Sequence, residues 1–333
     1  MIAWLTKDVS RRGLWLLACL LPAMMVAPRF VSDYLLTALI LVLYFAYVGQ
    51  AWNIMMGFAG QLSLGHSIYV GLGAYTTAGL FIHFGIGPWI GFLVAVPVTV
   101  ACGAFMGFLA FRFGVAGVYF AILTIAFAEF ARIGFDHFDW VGGSAGFFLP
   151  VKQYADNDVW LLRGAPSMFY YIILTATVLA FIACHLLLRS RMGYYWLAIR
   201  EDEQAARAAG INTFRYKMYA VMISAGMASL GGVFYAFFYN NLFPEQIFHI
   251  SRSIEIILAP IIGGIGSLFG PILGAFLLEI FAEGLREILA LLGVDVPGLR
   301  QLAFGVCMLL VVVLLPEGVW PWLERKLRLT ERK

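Results

Sequence analysis

Two glycine-rich segments interrupt the apolar sequence, one in each half of the chain. Residues 57–65 read GFAGQLSLG, residues 263–270 read GGIGSLFG, and both contain the pattern G-x-x-G-x-L. Glycines let a helix unwind or let two helices approach closely. Paired glycine-interrupted segments in the two halves of a membrane transport protein indicate a substrate path, because their freed carbonyl and amide groups can contact a solute.

Uncharged polar side chains accompany these glycines, and they favour a solute without net charge, such as a zwitterion, over an ion. We predict that ten residues line a path or form a helix break: Gly57, Gly60, Gln61, Ser63, Gly65, His66, Gly263, Gly264, Gly266 and Ser267. The alternative is dense helix packing through small residues, which glycine-rich membrane helices also show.

A short polar helix is predicted between two apolar runs in the second half of the chain. Its first turn holds Glu201, Asp202 and Glu203, where negative charge meets the positive end of the helix dipole. Glu203 can pair with Arg207 four residues later, and Gly210 is typical of the residue that follows a helix end. Exposed alanines let another protein approach closely, which favours docking on a soluble partner. A helix lying on the membrane surface is the alternative, although alanines are weak membrane anchors.

Charged residues inside apolar segments are candidates for function, because a charge in the membrane is costly. Glu279 is the clearest of them, about seven residues into its predicted helix and roughly 10 Å deep. The pairs Arg252/Glu255 and Glu129/Arg132 lie near predicted helix ends, where interfacial ion pairing is the simpler explanation. A carboxylate at the depth of Glu279 is also what a proton-coupled carrier would need.

Many membrane-spanning helices are needed to position these residues. Of 333 residues, 62% are hydrophobic and 12% are charged, and apolar runs of about 20 residues, the length that crosses a bilayer, recur throughout. The alternating pattern of a membrane β-barrel is absent. We predict an all-α polytopic membrane protein that forms one transmembrane domain over residues 1–333. The ten predicted spans are 14–28, 34–56, 62–82, 88–111, 115–133, 168–188, 215–239, 253–268, 272–290 and 300–316.

Two of these spans, 62–82 and 253–268, are candidates for broken or re-entrant helices, because the first is glycine-rich and the second is short. Basic residues concentrate near the N-terminus, in the loop at about 190–213 and in the C-terminal tail, whereas the loop at about 134–167 is mainly acidic. Because basic residues stay on the cytoplasmic side, both termini and the basic loop are predicted to face the cytoplasm and the acidic loop to face outward.

Several classes of activity lack support in the sequence. The four cysteines are far apart within apolar runs and the five histidines show no pair at ligand spacing, so no metal site is expected. No lysine completes the G-x-x-x-x-G-K-[ST] pattern that cradles a nucleotide phosphate. The chain is therefore expected to be neither an enzyme nor a cofactor-binding protein. Membrane lipid is its expected surrounding, and nucleic acid is not an expected partner.

Three stretches together resemble one family of membrane proteins. They read AIREDEQAARAAGINTFRYKMYAVMISAGMASLGGVFYA at 198–236, GFAGQLSLGH at 57–66 and SIEIILAPIIGGIGSLFGPILGA at 253–275. All three are similar to ABC-importer permeases for branched-chain amino acids of the LivM type. The resemblance implies that the polar helix is a coupling helix that docks on an ATP-binding subunit. The docking residues that it implies are Glu201, Asp202, Ala205, Ala206, Arg207, Ala209 and Gly210.

The same resemblance implies the partners and the setting. A second homologous permease, two ABC ATPase subunits that use ATP and magnesium, and a soluble substrate-binding protein are expected, in a bacterial inner membrane. The expected solutes are leucine, isoleucine and valine. The alternatives are a permease of the same family for urea or another small solute, and an ion-coupled secondary carrier that works without an ATPase.

Overall fold

The computed structural model describes residues 22–150, 157–291, 305–306, 309 and 313–327. Long antiparallel helices make up most of this part of the chain. The helices are α1 Asp33–Asn53, α2 Ser67–Phe84, α3 Pro88–Arg112, α4 Val118–Asp136, α5 Pro166–Arg189, α6 Arg191–Glu201, α7 Glu203–Ala208, α8 Thr213–Tyr239, α9 Pro244–Ile247, α10 Ile250–Gly263, α11 Gly270–Leu291 and α12 Val319–Leu327. Two short strands, β1 Phe147–Phe148 and β2 Asn241–Leu242, pair antiparallel.

Six helical stretches among the described residues are long and apolar enough to cross a membrane, which confirms a multi-span helical protein. They are Asp33–Phe58, Pro88–Arg112, Val118–Asp136, Pro166–Arg189, Thr213–Tyr239 and Pro244–Gly263. Each corresponds to a span predicted from the sequence. The predicted spans 62–82 and 272–290 are helical but are not among these six, and the predicted spans 14–28 and 300–316 lie largely outside the described residues, so the count of ten stays a prediction.

The two spans singled out as irregular differ from their predicted form. The helix predicted at 62–82 begins only at Ser67, because residues 59–66 form an irregular segment without regular secondary structure. The helix predicted at 253–268 is continuous from Ile250 to Gly263, with Pro260 inside it. It ends at the glycine pair Gly263–Gly264. Its 14 residues span only about 21 Å, and the four-residue α9 precedes it.

Helix α8 lies at the centre of the bundle and packs against α1, α2 and α3. Its contact with α2 is close because glycines face backbone: a β-carbon at Gly73 would overlap the Ser229 carbonyl, and one at Gly232 would overlap the Val70 carbonyl. Large apolar and aromatic side chains, such as Trp52 and Phe237, fill the space around it. The antiparallel order gathers residues 54–60, α6, α7 and the 264–269 connection at one end of the bundle, and residues 61–66 run from there into its interior, where Leu64 meets Thr124.

The opposite end carries the longest connection, between Asp136 and Pro166, which corresponds to the predicted loop at about 134–167. Within its described part, β1 pairs with β2, so that Phe147 faces Leu242 across the ladder. The pairing ties this loop to the end of α8.

Candidate coupling and translocation site

The first glycine-rich segment starts as a distorted end of α1. The helix widens into a π-helical turn at Ile54–Phe58, and Gly60 then adopts a left-handed φ of +70°. The irregular residues that follow are held by polar contacts: Trp52 Nε1 donates to the Ser63 carbonyl over 2.8 Å, and the backbone N–H of Leu64 donates to Thr124 Oγ1 over 3.0 Å. The sequence therefore breaks the helix here, and neighbouring helices satisfy the freed backbone groups.

The second glycine-rich segment joins α10 to α11. Gly264 and Gly266 have φ of +121° and +81°, which favour glycine. Ser267 Oγ donates to the Gly264 carbonyl over 2.8 Å and accepts from the Gly270 N–H over 3.0 Å. This side chain therefore stabilises both the turn and the start of α11. A β-carbon at Gly264 would lie 2.8 Å from Pro321 Cδ, so α12 packs directly on the turn.

The structure brings the two glycine-rich segments into contact through the Asn53 amide. Asn53 Oδ1 accepts from the Gly266 N–H over 2.8 Å, and Nδ2 donates to the Ser267 carbonyl over 2.9 Å. A β-carbon at Gly57 would overlap Asn53 Oδ1 and lie 2.7 Å from Gly266 N. Each segment thus needs glycine because the other lies against it.

Arg200, the penultimate residue of α6, lies over the same contact. Its Nη1 donates to the Gly57 carbonyl over 2.5 Å, and a β-carbon at Gly266 would lie 2.6 Å from that nitrogen. A β-carbon at Gly60 would lie 3.2 Å from Arg200 Cα. We call this contact the glycine junction, and it comprises Asn53, Gly57, Gly60, Arg200, Gly266 and Ser267. Sequence reasoning missed Asn53 and Arg200, because only the folded chain brings them to the glycines.

The remaining predicted path residues lie in packed surroundings. His66 is fully buried, edge-on to the Tyr69 ring at 5.0 Å, and its Nε2 lies 3.5 Å from Ser224 Oγ. Gln61 Nε2 donates to the Ala59 carbonyl over 2.9 Å. A β-carbon at Gly65 would overlap the Thr124 carbonyl, and one at Gly263 would overlap the Gly270 carbonyl. These residues are closely packed in this conformation, and their role in a substrate path stays a prediction.

The predicted polar helix is in fact two helices. Glu201 ends α6, and Asp202 is extended and caps α7: its Oδ1 accepts from the N–H groups of Gln204 and Ala205 over 2.8 and 3.0 Å. The prediction that Glu201 and Asp202 belong to the first helical turn was therefore wrong, since Asp202 supplies the cap and only Glu203 occupies the turn. Gly210, with φ of +85°, follows the helix end as predicted.

Most of the predicted docking residues lie on the surface of the bundle. Six of the seven are exposed: Glu201, Asp202, Ala205, Arg207, Ala209 and Gly210. Ala206 is buried, because this face of α7 packs inward, so its side chain is not part of the exposed surface. The exposed set is continuous along the outer side of α7 and presents small residues beside charges.

A buried ion pair fastens α7 to α8. Glu203 Oε2 lies 2.9 Å from Lys217 Nζ, whose side chain is only 6% exposed, and Glu203 also pairs with Arg207 at 3.0 Å. Lys217 Nζ lies 4.7 Å from the centre of the Phe111 ring. Burial alone would raise the pKa of Glu203, but the hydrogen bond and positive charge of Lys217 lower it below its ordinary value. The pairing of Glu203 with Arg207 confirms the sequence prediction, whereas the stronger contact with Lys217 was missed.

A cavity of about 490 Å³, with a lining that combines apolar, aromatic and charged side chains, lies between α1, α8, α10 and α11, toward the end of the bundle opposite α7. We call it the tyrosine cavity, and its polar lining comprises Tyr44, Tyr235, Tyr239, Ser251, Arg252, Glu255 and Glu279. Glu279, predicted to be a deep carboxylate, therefore lies at this cavity and not at the glycine junction. The pair Arg252/Glu255, predicted to be an interfacial ion pair, belongs to the same cavity.

A second cavity, of about 900 Å³, is almost entirely apolar and lies between α3, α5 and α8. Within the parts of the chain that the structure describes, no group of three or more histidine, cysteine, aspartate and glutamate side chains is placed to hold a metal ion.

Comparison with known proteins gives consistent matches over most of the chain. A family model described as the permease component of the branched-chain amino acid transport system matches residues 34–312. The chain is 30% identical over 310 residues to the high-affinity branched-chain amino acid transport system permease protein LivM of Escherichia coli K12, which covers 87% of this chain and 70% of that protein.

Two further relatives widen this comparison. LivM of Salmonella typhimurium is 30% identical over 303 residues, covering 85% of this chain and 69% of the relative. LivH of the same organism, also named a high-affinity branched-chain amino acid transport system permease, is 25% identical over 290 residues, covering 83% and 90%. No solved structure matches the chain significantly.

Proposed function

Because the chain belongs to the family of permease components of branched-chain amino acid transport systems, we propose that it is one permease subunit of an ATP-driven importer for leucine, isoleucine and valine. One observation supports the coupling role most directly. The exposed surface of α7 sits at the end of the bundle and is bonded through Glu203 to the buried Lys217 of the central helix. A partner that pushes on this surface therefore acts on the transmembrane core.

The proposed coupling has two routes from the surface to the interior. Through Glu203 and Lys217, a displacement of α7 passes into α8. Through Arg200, which lies three residues before the start of α7 and touches both glycine-rich segments, it passes into α1, α10 and α11. Movement of one short helix is thus delivered to four transmembrane helices together.

The proposed assembly follows from the family. Relatives of both the LivM and LivH kinds match this chain, which supports a second, homologous permease as a partner. Two ATPase subunits bind ATP and magnesium and dock on α7, while this chain binds no cofactor. A soluble substrate-binding protein delivers the solute at the opposite side. The complex lies in the bacterial inner membrane, with both termini and α7 in the cytoplasm.

The docking role is tested by replacing residues 201–207 with a glycine–serine linker of equal length. We expect the reconstituted complex to keep its ATPase subunits' ability to hydrolyse ATP but to lose ATP-driven uptake of radiolabelled L-leucine into proteoliposomes, because the push no longer reaches the core. Normal uptake by this variant would refute docking through α7.

A bulky substitution separates docking from a general effect of a changed surface. Ala205→Trp enlarges the exposed face of α7, whereas Ala116→Trp enlarges an exposed alanine in the connection between α3 and α4 at the same end of the bundle. We expect the first to lower uptake at least fivefold and the second to leave it within twofold. Equal effects would indicate that α7 is not the docking surface.

The solute is identified by competition. Uptake of labelled leucine by the complete system should be suppressed by excess isoleucine and valine and not by urea. Uptake that persists when the ATPase subunits are omitted would identify an ion-coupled carrier instead.

A further inference from the structure

The tyrosine cavity reaches deep into the membrane-spanning part of the bundle. Tyr44 is the twelfth residue of the 21-residue α1, and Glu279 is the tenth of the 22-residue α11. At about 1.5 Å of rise per residue, both lie near the middle of their helices. Its volume of about 490 Å³ falls in the range of about 300–1,000 Å³ typical of small-molecule sites. The pair Arg252/Glu255 therefore lies at a cavity of the size of a small-molecule site, which an ion pair at the membrane surface does not require.

Arg252 is held at this cavity with hydrogen-bonding capacity to spare. Its Nη1 donates to Glu255 Oε2 over 2.7 Å, its Nη2 donates to Tyr235 Oη over 3.2 Å, and its Cζ lies 5.3 Å from the centre of the Tyr235 ring. The side chain is 18% exposed, and its Nε is buried without a hydrogen-bond partner among the described residues. A guanidinium carries five N–H donors in a fork that matches a carboxylate.

Acidic and aromatic groups lie beside this arginine. The Glu255 side chain is 52% exposed although it belongs to a helix apolar enough to cross the membrane. Such a carboxylate faces water, a solute or another subunit, because exposure to lipid is costly. Glu279 belongs to the same lining from α11. Carboxylates and tyrosine faces together suit a small ammonium group.

The rest of the wall is apolar. The aliphatic and aromatic side chains there are Leu41, Phe45, Ile254, Leu258 and Leu278. The cavity thus combines a donor fork, carboxylates and a hydrocarbon wall, which are the three chemical complements of an aliphatic α-amino acid.

From this arrangement we infer that the tyrosine cavity is a membrane-embedded binding site for the solute, in which Arg252 receives the α-carboxylate, Glu255 and Glu279 receive the α-ammonium, and the leucine and isoleucine side chains receive the aliphatic group. The inference rests on the proposed function, and it places the solute at charged residues of α10 and α11 instead of the uncharged glycine-rich segments. Because the site has a partner for each charged group of a zwitterion, it disfavours solutes that lack the carboxylate or the ammonium group.

The test uses the complete complex with its partner permease, ATPase subunits and binding protein in proteoliposomes. Uptake of radiolabelled L-leucine and ATP hydrolysis stimulated by the binding protein are measured in parallel for the wild type, Arg252→Gln, Arg252→Lys and Glu255→Gln. The control is Arg132→Gln: Arg132 also pairs with a glutamate three residues away, Glu129, and in addition with Glu245, but it lies outside the cavity.

We expect Arg252→Gln to lower uptake about tenfold or more, as loss of a charged hydrogen bond implies, while stimulated ATP hydrolysis stays within twofold. Arg252→Lys should keep part of the uptake and raise the leucine concentration for half-maximal rate. Arg132→Gln should change neither quantity by more than twofold.

Two outcomes would overturn the site. Wild-type uptake by Arg252→Gln would show that the solute does not depend on the arginine. Loss of subunit assembly and ATP hydrolysis in parallel with uptake, in both Arg252 variants, would assign the pair to structure. If the wild-type complex carries a solute other than a branched-chain amino acid, the proposed substrate fails separately. The site then survives only if that solute is a zwitterion whose uptake Arg252→Gln abolishes.

Discussion

At the end of the bundle that carries α6 and α7, glycine backbone packs on glycine backbone, whereas toward the other end α1, α8, α10 and α11 separate around the tyrosine cavity. The first region leaves no room for one added carbon at Gly57 or Gly263. The second holds a cavity of about 490 Å³ whose lining includes Arg252, Glu255 and Glu279. In the proposed orientation the chain is therefore closed on the cytoplasmic side and hollow toward the outside. The glycine-rich segments form a close-packed contact in this conformation, and the proposed solute site lies at the tyrosine cavity.

The largest effect is expected when one carbon is inserted into the glycine junction, which tests whether this region is close-packed. Gly57→Ala would push on the Asn53 amide and on Gly266, so we expect the free energy of unfolding to fall by about 1–3 kcal/mol, the usual cost of overpacking. Thermal unfolding of the purified complex measures the change. Gly134→Ala is the control, because a β-carbon at this helical position meets no atom within 4 Å. Equal stability of the two variants would mean that the junction is not tightly packed.

Replacing Arg200 tests whether the glycine junction transmits the movement of α7 in addition to packing the helices together. We expect Arg200→Gln to leave the folded complex intact but to lower the number of leucine molecules imported per ATP about fivefold, because the guanidinium contact with the Gly57 carbonyl is lost. Arg191→Gln changes an exposed arginine at the other end of α6 and should have little effect. An unchanged ratio for Arg200→Gln would exclude this residue from the coupling route.

The smallest expected effect concerns acid pH. The folded-state pKa of Glu203 is lowered, so its ion pair stabilises the attachment of α7 at pH values above the ordinary carboxyl pKa, and this contribution disappears as the pH falls through the lowered value. A spin label at Ala208→Cys should stay immobile from neutral pH down to the ordinary glutamate pKa of about 4.3 and become mobile only below it.

The control for this titration removes the carboxylate. Glu203→Gln leaves the buried Lys217 without its partner, so the label should already be mobile at pH 7 and should show no further transition on acidification. A label that stays immobile in this variant would show that the ion pair does not fasten α7.

Local features of the structure follow from the sequence, and contacts between distant residues do not. Hydropathy alone locates the six long apolar helical stretches of the structure, and helix-end chemistry identifies Gly210, because both depend on neighbouring residues. Asn53, in contrast, is an unremarkable polar residue until folding places it against Gly266. The spacing of Arg252 and Glu255 suggests a surface pair, since only the packing of α1 and α11 creates the cavity beside them.

The central helix has a mechanical consequence. Helices α2 and α8 touch backbone to backbone near Ser229 and Gly232, which makes this point a natural pivot. Lys217 lies about 21 Å from it and Tyr239 about 12 Å on the other side, at 1.5 Å per residue. A rigid tilt of α8 about this point would therefore move its two ends in opposite directions. Tyr239 at the tyrosine cavity would move about half as far as Lys217 of the ion pair, because it lies closer to the pivot.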